Sequence, residues 1–75
     1  MYEYVKLIAG DVTLVKDGDT WTHNGTPIEY PWDVVQEVIE GHDYFEVQAI
    51  RDNGTVDQFE YHAGYLYHIT LAVNK

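Results

Sequence analysis

Apolar and polar positions alternate with a period of two along most of this chain and switch to a helical period only once. Tyr2 to Ala9 is rich in β-forming residues and is punctuated by Gly10-Asp11. Val12 to Lys16 follows, then a turn at Asp17-Gly18-Asp19, then Thr20 to His23, closed by Asn24-Gly25. Asp-Gly and Asn-Gly favour positive φ, which tight hairpin loops require. The first third therefore predicts three short strands in an antiparallel meander. Pro27 to Pro31 reads as an extended connection.

The helical stretch comes next. Pro31 suits a first helical turn, where its missing N–H goes unused. Trp32, Val35, Val38 and Ile39 recur at helical spacing and predict a buried stripe, with Asp33, Gln36, Glu37 and Glu40 on the other side. Gly41 can adopt the left-handed conformation that ends many helices. A helix of about ten residues does not persist alone and has to pack on a sheet.

Three more strands follow. Phe45, Val47 and Ala49 alternate with Glu46 and Gln48; Phe59 and Tyr61 alternate with Gln58 and Glu60. Tyr65, Tyr67, Ile69, Leu71 and Val73 alternate with Leu66, His68, Thr70 and Ala72. Apolar matching sets the registers, because a one-residue slip turns a whole strand over. A three-residue loop at Asp52-Asn53-Gly54, with Gly54 left-handed at a bulge, sets Val47 opposite Phe59 and Phe45 opposite Tyr61. The same logic predicts a three-residue loop at Ala63-Gly64-Tyr65, pairing Tyr61 with Tyr67 and Phe59 with Ile69. The expected fold is α+β: one small domain over residues 1–75, about six antiparallel strands in β-β-β-α-β-β-β order, and one short helix on the sheet. The pattern leaves open whether the strands form one sheet or two.

Charge changes the functional picture more than the fold. Thirteen acidic side chains face four basic ones, for a formal charge of -9. Proteins hold phosphates through Lys and Arg, so this field repels DNA, RNA and anionic membranes and attracts basic protein surfaces. With 45% hydrophobic residues, the chain has enough apolar content to fold despite that charge. Cysteine is absent, which excludes disulfides and thiolate metal sites and fits a reducing compartment. No basic region precedes an apolar run at the start, and no segment approaches a membrane span of about 20 residues. A complete cytoplasmic chain is expected, in the host cytoplasm if phage-encoded.

Catalytic signals are absent from the sequence. There is no Ser or Cys, no Thr in a recognisable setting, and no phosphate-cradling Gly-rich loop. No enzymatic activity and no cofactor are expected. The inferred registers do assemble one constellation: Glu46 opposite Glu60, Glu60 opposite His68, and His62 beside Tyr44 on the same face. Opposed carboxylates repel, and two carboxylates with two imidazoles are a donor set for zinc or a similar ion. Glu46, Glu60, His62 and His68 are thus candidate metal ligands, set against a solvated face on which long Glu side chains splay apart. His23 and His42 fall at turns and read as surface residues.

Two further surfaces suggest binding. Asp33, Glu37 and Glu40 lie at i, i+4 and i+7 and form one negative stripe, with successive carboxylates about 6 Å apart along the axis. Phosphates along a nucleic-acid strand have comparable spacing. With Glu29 just before the helix, and Tyr30 as an aromatic neighbour, the stripe fits a basic groove. The bland alternative is the charged solvent face of an amphipathic helix. The chain also carries seven Tyr and two Trp. Tyr61, Tyr65 and Tyr67 take core positions by alternation; Tyr2, Tyr4, Tyr30 and Tyr44 are the better interface candidates.

In general type — small, cysteine-free, acidic, aromatic-rich and without a catalytic signature — the chain is similar to accessory proteins of bacteriophages and mobile elements. That group includes anti-CRISPR and anti-restriction inhibitors, some of them DNA mimics. The resemblance lies in composition and carries over no residue. It implies a binding module that inhibits or modulates a basic, nucleic-acid-handling protein without contacting nucleic acid itself. The alternative is an assembly protein that self-associates, as a homodimer for instance, through its aromatic sheet face or a strand edge. A third reading is a small metal protein or enzyme built on the Glu/His face.

Overall fold

A computed structural model of the protein describes residues 2–71. Seven antiparallel strands form one sheet: β1 (Tyr2–Ala9), β2 (Val12–Asp17), β3 (Thr20–His23), β4 (Thr26–Pro27), β5 (Tyr44–Arg51), β6 (Val56–His62) and β7 (Tyr65–Leu71). The single helix among the described residues, α1 (Pro31–Glu40), lies between β4 and β5 in the chain. The spatial order is β4-β3-β2-β1-β5-β6-β7. β1 is therefore central, and the connection through α1 carries the chain from the β4 edge back to β5, which pairs with β1. The first meander has four strands rather than three, because Asn24 and Gly25 turn at φ 48° and 90° and let Thr26 and Pro27 pair back onto β3. The continuation of the last strand to Ala72 and Val73 lies outside the described residues. Among the described residues no helix is long and apolar enough to cross a membrane.

One face of the sheet carries the core. Leu7 and Ala9 of β1, Leu14 of β2, Phe45 of β5 and Val38 of α1 form its buried centre, edged by Val12, Trp21, Ile28, Val34, Val35, Val47 and Tyr61. Cross-strand pairs align these residues: Leu7 lies opposite Leu14 on one side and Val47 on the other. The β5–β6 register is the one apolar matching predicts, with Val47 opposite Phe59 and Phe45 opposite Tyr61. Gly54 takes φ 87° in the connecting loop.

α1 packs through a different part of its apolar arc than the spacing suggests. At about 100° per residue, Val34, Val38, Val35, Ile39 and Trp32 cover roughly 160° of the helix. The sheet takes the Val34–Val35–Val38 side, so the expected stripe of Trp32, Val35, Val38 and Ile39 is corrected: Trp32 is 73% exposed and Ile39 39%. The helix also ends differently. Gly41 is right-handed (φ -87°, ψ 0°), and its N–H donates to the Glu37 carbonyl at 3.0 Å. Trp32→Ala is accordingly expected to cost less than about 1 kcal/mol, as for surface positions. A thermal melt checks this, and a large loss would mean that the ring is buried.

The β6–β7 register is one residue away from the expected one. His62 pairs with Tyr65, Glu60 with Tyr67 and Phe59 with His68, around a two-residue loop of Ala63 and Gly64. Both loop residues have positive φ (47° and 99°), whose backbone twist matches that of the flanking strands. The slip turns β7 over. Leu66, His68 and Thr70 share the face of the core, while Tyr65, Tyr67 and Ile69 lie on the opposite, open face. Tyr65 and Tyr67 are exposed rather than core residues; Tyr61 does pack against the core, stacked on Phe45 with ring centroids 4.9 Å apart.

Candidate protein-binding surface

Tyr30 stands at the N-cap of α1 without a side-chain cap, and Pro31 follows in the first turn. The cap position leaves Tyr30 projecting into solvent, 67% exposed, beside the exposed ring of Trp32. Glu29, Asp33, Glu37 and Glu40 are all exposed. Among the described residues none of these four acids is in an ion pair; Glu40 only accepts a hydrogen bond from the Gln36 amide at 3.1 Å. Glu29, Tyr30, Pro31, Trp32 and Asp33 together line a shallow hollow of about 310 Å³. The element therefore presents two aromatic rings flanked by uncompensated carboxylates.

A second feature adjoins it. The part of the apolar arc that the sheet leaves uncovered overhangs a groove of about 550 Å³ lined chiefly by Val5, Leu7, Trp21, Trp32, Val35 and Ile39. The Trp21 and Trp32 rings meet across it at 5.8 Å with a 59° tilt. Lys16 and Asp19 also line the groove.

The Glu/His constellation is divided between the two faces. Glu46 does lie opposite Glu60, and His62 bonds Glu60 at 3.1 Å, all on the open face. His68 pairs with Phe59 instead of Glu60 and points to the other face. Its ring stacks on Phe59 with centroids 4.4 Å apart. The expected juxtaposition of Glu60 with His68 is thus corrected by the β7 slip. Among the described residues no three His, Asp or Glu side chains stand where they could hold one metal ion. On the open face His62 meets the rings of Tyr44 and Tyr67 edge-on, at 4.6 and 5.6 Å.

On the core face His68 belongs to a network that sequence reasoning missed. Asp57 is fully buried. Its Oδ2 accepts from the Tyr2 hydroxyl at 2.7 Å and from Arg51 Nε and Nη2 at 3.0 and 2.8 Å. Its Oδ1 accepts from the Thr70 hydroxyl at 2.8 Å and bonds His68 Nε2 at 3.3 Å. A buried carboxylate is costly unless its lone pairs are filled, and here they are. The Tyr2 hydroxyl first, then that of Thr70, with His68 and Arg51 adding, hold the Asp57 carboxyl well below the usual carboxylate range against the opposing effect of burial. A β-bulge in β1 makes the Tyr2 contact: Tyr4 pairs with Ile50 and Tyr2 with Arg51, so the extra residue turns Tyr2 onto the core face. The available signal was parity. Asp57 precedes Phe59 and Tyr61 at the same alternation and so falls on the apolar side. Tyr2, an interface candidate from sequence, is thereby a half-buried structural residue. His42 is likewise half-buried, with Nδ1 2.8 Å from the Val38 carbonyl, whereas His23 is exposed as expected.

No family model matches the chain, and no curated protein or solved structure matches it.

Proposed function

We propose that this protein is a binding module that inhibits or modulates a basic, nucleic-acid-handling protein by docking its α1 surface on it. The observation that carries this reading is the exposure of Tyr30 and Trp32 among Glu29, Asp33, Glu37 and Glu40, acids without ion-pair partners among the described residues. Large aromatic side chains supply anchoring area at low entropic cost and offer ring faces to Arg and Lys. The surrounding carboxylates steer a positively charged partner. A chain with a formal charge of -9 adds a long-range field of the same sign. Nucleic acid carries the wrong charge for this surface, whereas a protein built to hold phosphates carries the right one.

The test is capture of partners from native-host lysate at low and high salt, followed by kinetics on the partner found. Reversing Asp33, Glu37 and Glu40 to Lys is expected to slow association about tenfold or more at low salt, with a smaller effect at high salt. The control reverses Asp11, Asp17 and Asp19, which are also exposed. Equal losses in both triple variants would leave net charge alone responsible and remove the helix from the proposal.

A further inference from the structure

The two edges of the sheet differ sharply. β4 is two residues long and contains Pro27, both of which blunt an edge. β7 is seven residues long, with no Pro and no Asp, Glu, Lys or Arg. Among the described residues nothing pairs with its outer side. Tyr65, Leu66, Tyr67 and Ile69 are each more than half exposed.

Its hydrogen-bonding pattern follows from the ladder. The Ala63 N–H donates to the Asp43 carbonyl at 2.7 Å, which places the odd-numbered residues of β6 in hydrogen-bonded pairs with β5. Even-numbered β6 residues then bond β7, through Tyr65, Tyr67 and Ile69. The backbone N–H and C=O groups of Leu66, His68 and Thr70 are left pointing away from the sheet.

We infer that β7 is a homodimerisation edge, which pairs antiparallel with β7 of a second copy about a two-fold axis at His68. This register sets His68 opposite its own copy and Leu66 opposite Thr70. Every outward group on these three residues then meets a partner, giving about six interchain hydrogen bonds. Tyr67 falls opposite Ile69 on the open face, an aromatic against a β-branched side chain, which is a favourable cross-strand pair. The uncharged strand leaves this seam free of local repulsion. Two copies that each carry -9 repel wherever acids meet, and β7 brings no carboxylate of its own to the seam. A basic partner would find no acid on this strand to pair with. Because the other edge is blunted, the pairing closes as a dimer and does not propagate into a filament.

The experiment is sedimentation equilibrium of the purified chain at sub-millimolar concentration, with backbone amide exchange followed by NMR. The expected mass is about twice 8.7 kDa. The dimer should tighten with salt as like charges are screened, the opposite of what α1 docking on a basic partner predicts. The Leu66, His68 and Thr70 amides should gain protection as concentration rises. Leu66→Pro removes one outward donor and no bond to β6, and should return the mass to one chain with an unchanged circular dichroism spectrum. A monomer at every concentration overturns the proposal, and so does a dimer that survives Leu66→Pro or protects other amides. If Leu66→Pro fails to fold, the exchange pattern of the unaltered chain decides.

Discussion

Leu14→Ala should remove a large part of the stability of this protein, about 2–5 kcal/mol as for other buried leucines. Leu14 is fully buried and faces Leu7 across the central β1–β2 pair. Truncation leaves a void between the sheet and α1, and the surrounding strands cannot close it without breaking their ladders. At roughly 0.05–0.15 kcal/mol per residue, a chain of this length has only about 4–11 kcal/mol in total. A domain of this size loses roughly 4–8 °C of melting temperature per kcal/mol, so the expected fall exceeds about 8 °C and the variant is close to unfolding at physiological temperature. Calorimetry or a circular dichroism melt measures this. A near-native melt would place the core elsewhere.

Asp57→Asn should be nearly as damaging, and its effect should depend on pH. The substitution keeps the size of the side chain but removes the charge that Arg51 pairs with and turns one acceptor oxygen into a donor aimed at other donors. Arg51 is partly exposed and relaxes into water, which moderates the loss. A fall in melting temperature on the order of 10 °C is expected near neutral pH. The direction with pH follows from the carboxyl being held below its ordinary range. In the folded state Asp57 stays ionised at pH values where the unfolded chain would already take up a proton. Its contribution is therefore fully present above about pH 4 and declines as pH falls through the lower folded value. Melting curves from pH 6 down to pH 2 should show the gap between the unaltered chain and Asp57→Asn narrowing below about pH 4. A gap that stays constant to the acid limit would mean that the charge of Asp57 has no part in the fold.

The two hairpins of the second half show what decides a register. Between β5 and β6, apolar matching and turn chemistry agree: Asn53-Gly54 favours a left-handed glycine, and the resulting pairs are Val47 with Phe59 and Phe45 with Tyr61. Between β6 and β7 they conflict. Apolar matching asks for Tyr61 opposite Tyr67, but the loop that forms holds Ala63 at φ 47°, a conformation an alanine does not favour by itself. Contacts elsewhere hold it there. Asp57 needs donors from β7, and only the observed register brings Thr70 opposite it and His68 onto its face. The stacking of His68 on Phe59 and the bond from Ala63 to Asp43 reinforce that choice. A buried carboxylate oxygen thus outranks a pair of tyrosines, because leaving Asp57 Oδ1 without a donor would cost more than exposing two rings that keep their hydroxyls in water.

The sequence by itself determined the elements that follow from local periodicity and turn residues: the six longer β-strands, the ten-residue helix with Pro31 in its first turn, the β5–β6 register, and the exposure of Glu29, Tyr30, Asp33, Glu37 and Glu40. Each depends on residues close together in the chain, where spacing alone sets the face. Only the tertiary structure decided which half of the α1 arc meets the sheet, since Trp32 and Val34 are both at helical spacing and only the position of the sheet distinguishes them. Only it joined the two meanders into one sheet through β1 and β5, left β7 as the long edge and β4 as the short one, and drew Tyr2, Arg51, His68 and Thr70 around Asp57. Those outcomes depend on partners up to 55 residues apart. A periodic pattern records which way a side chain points, but not what it meets.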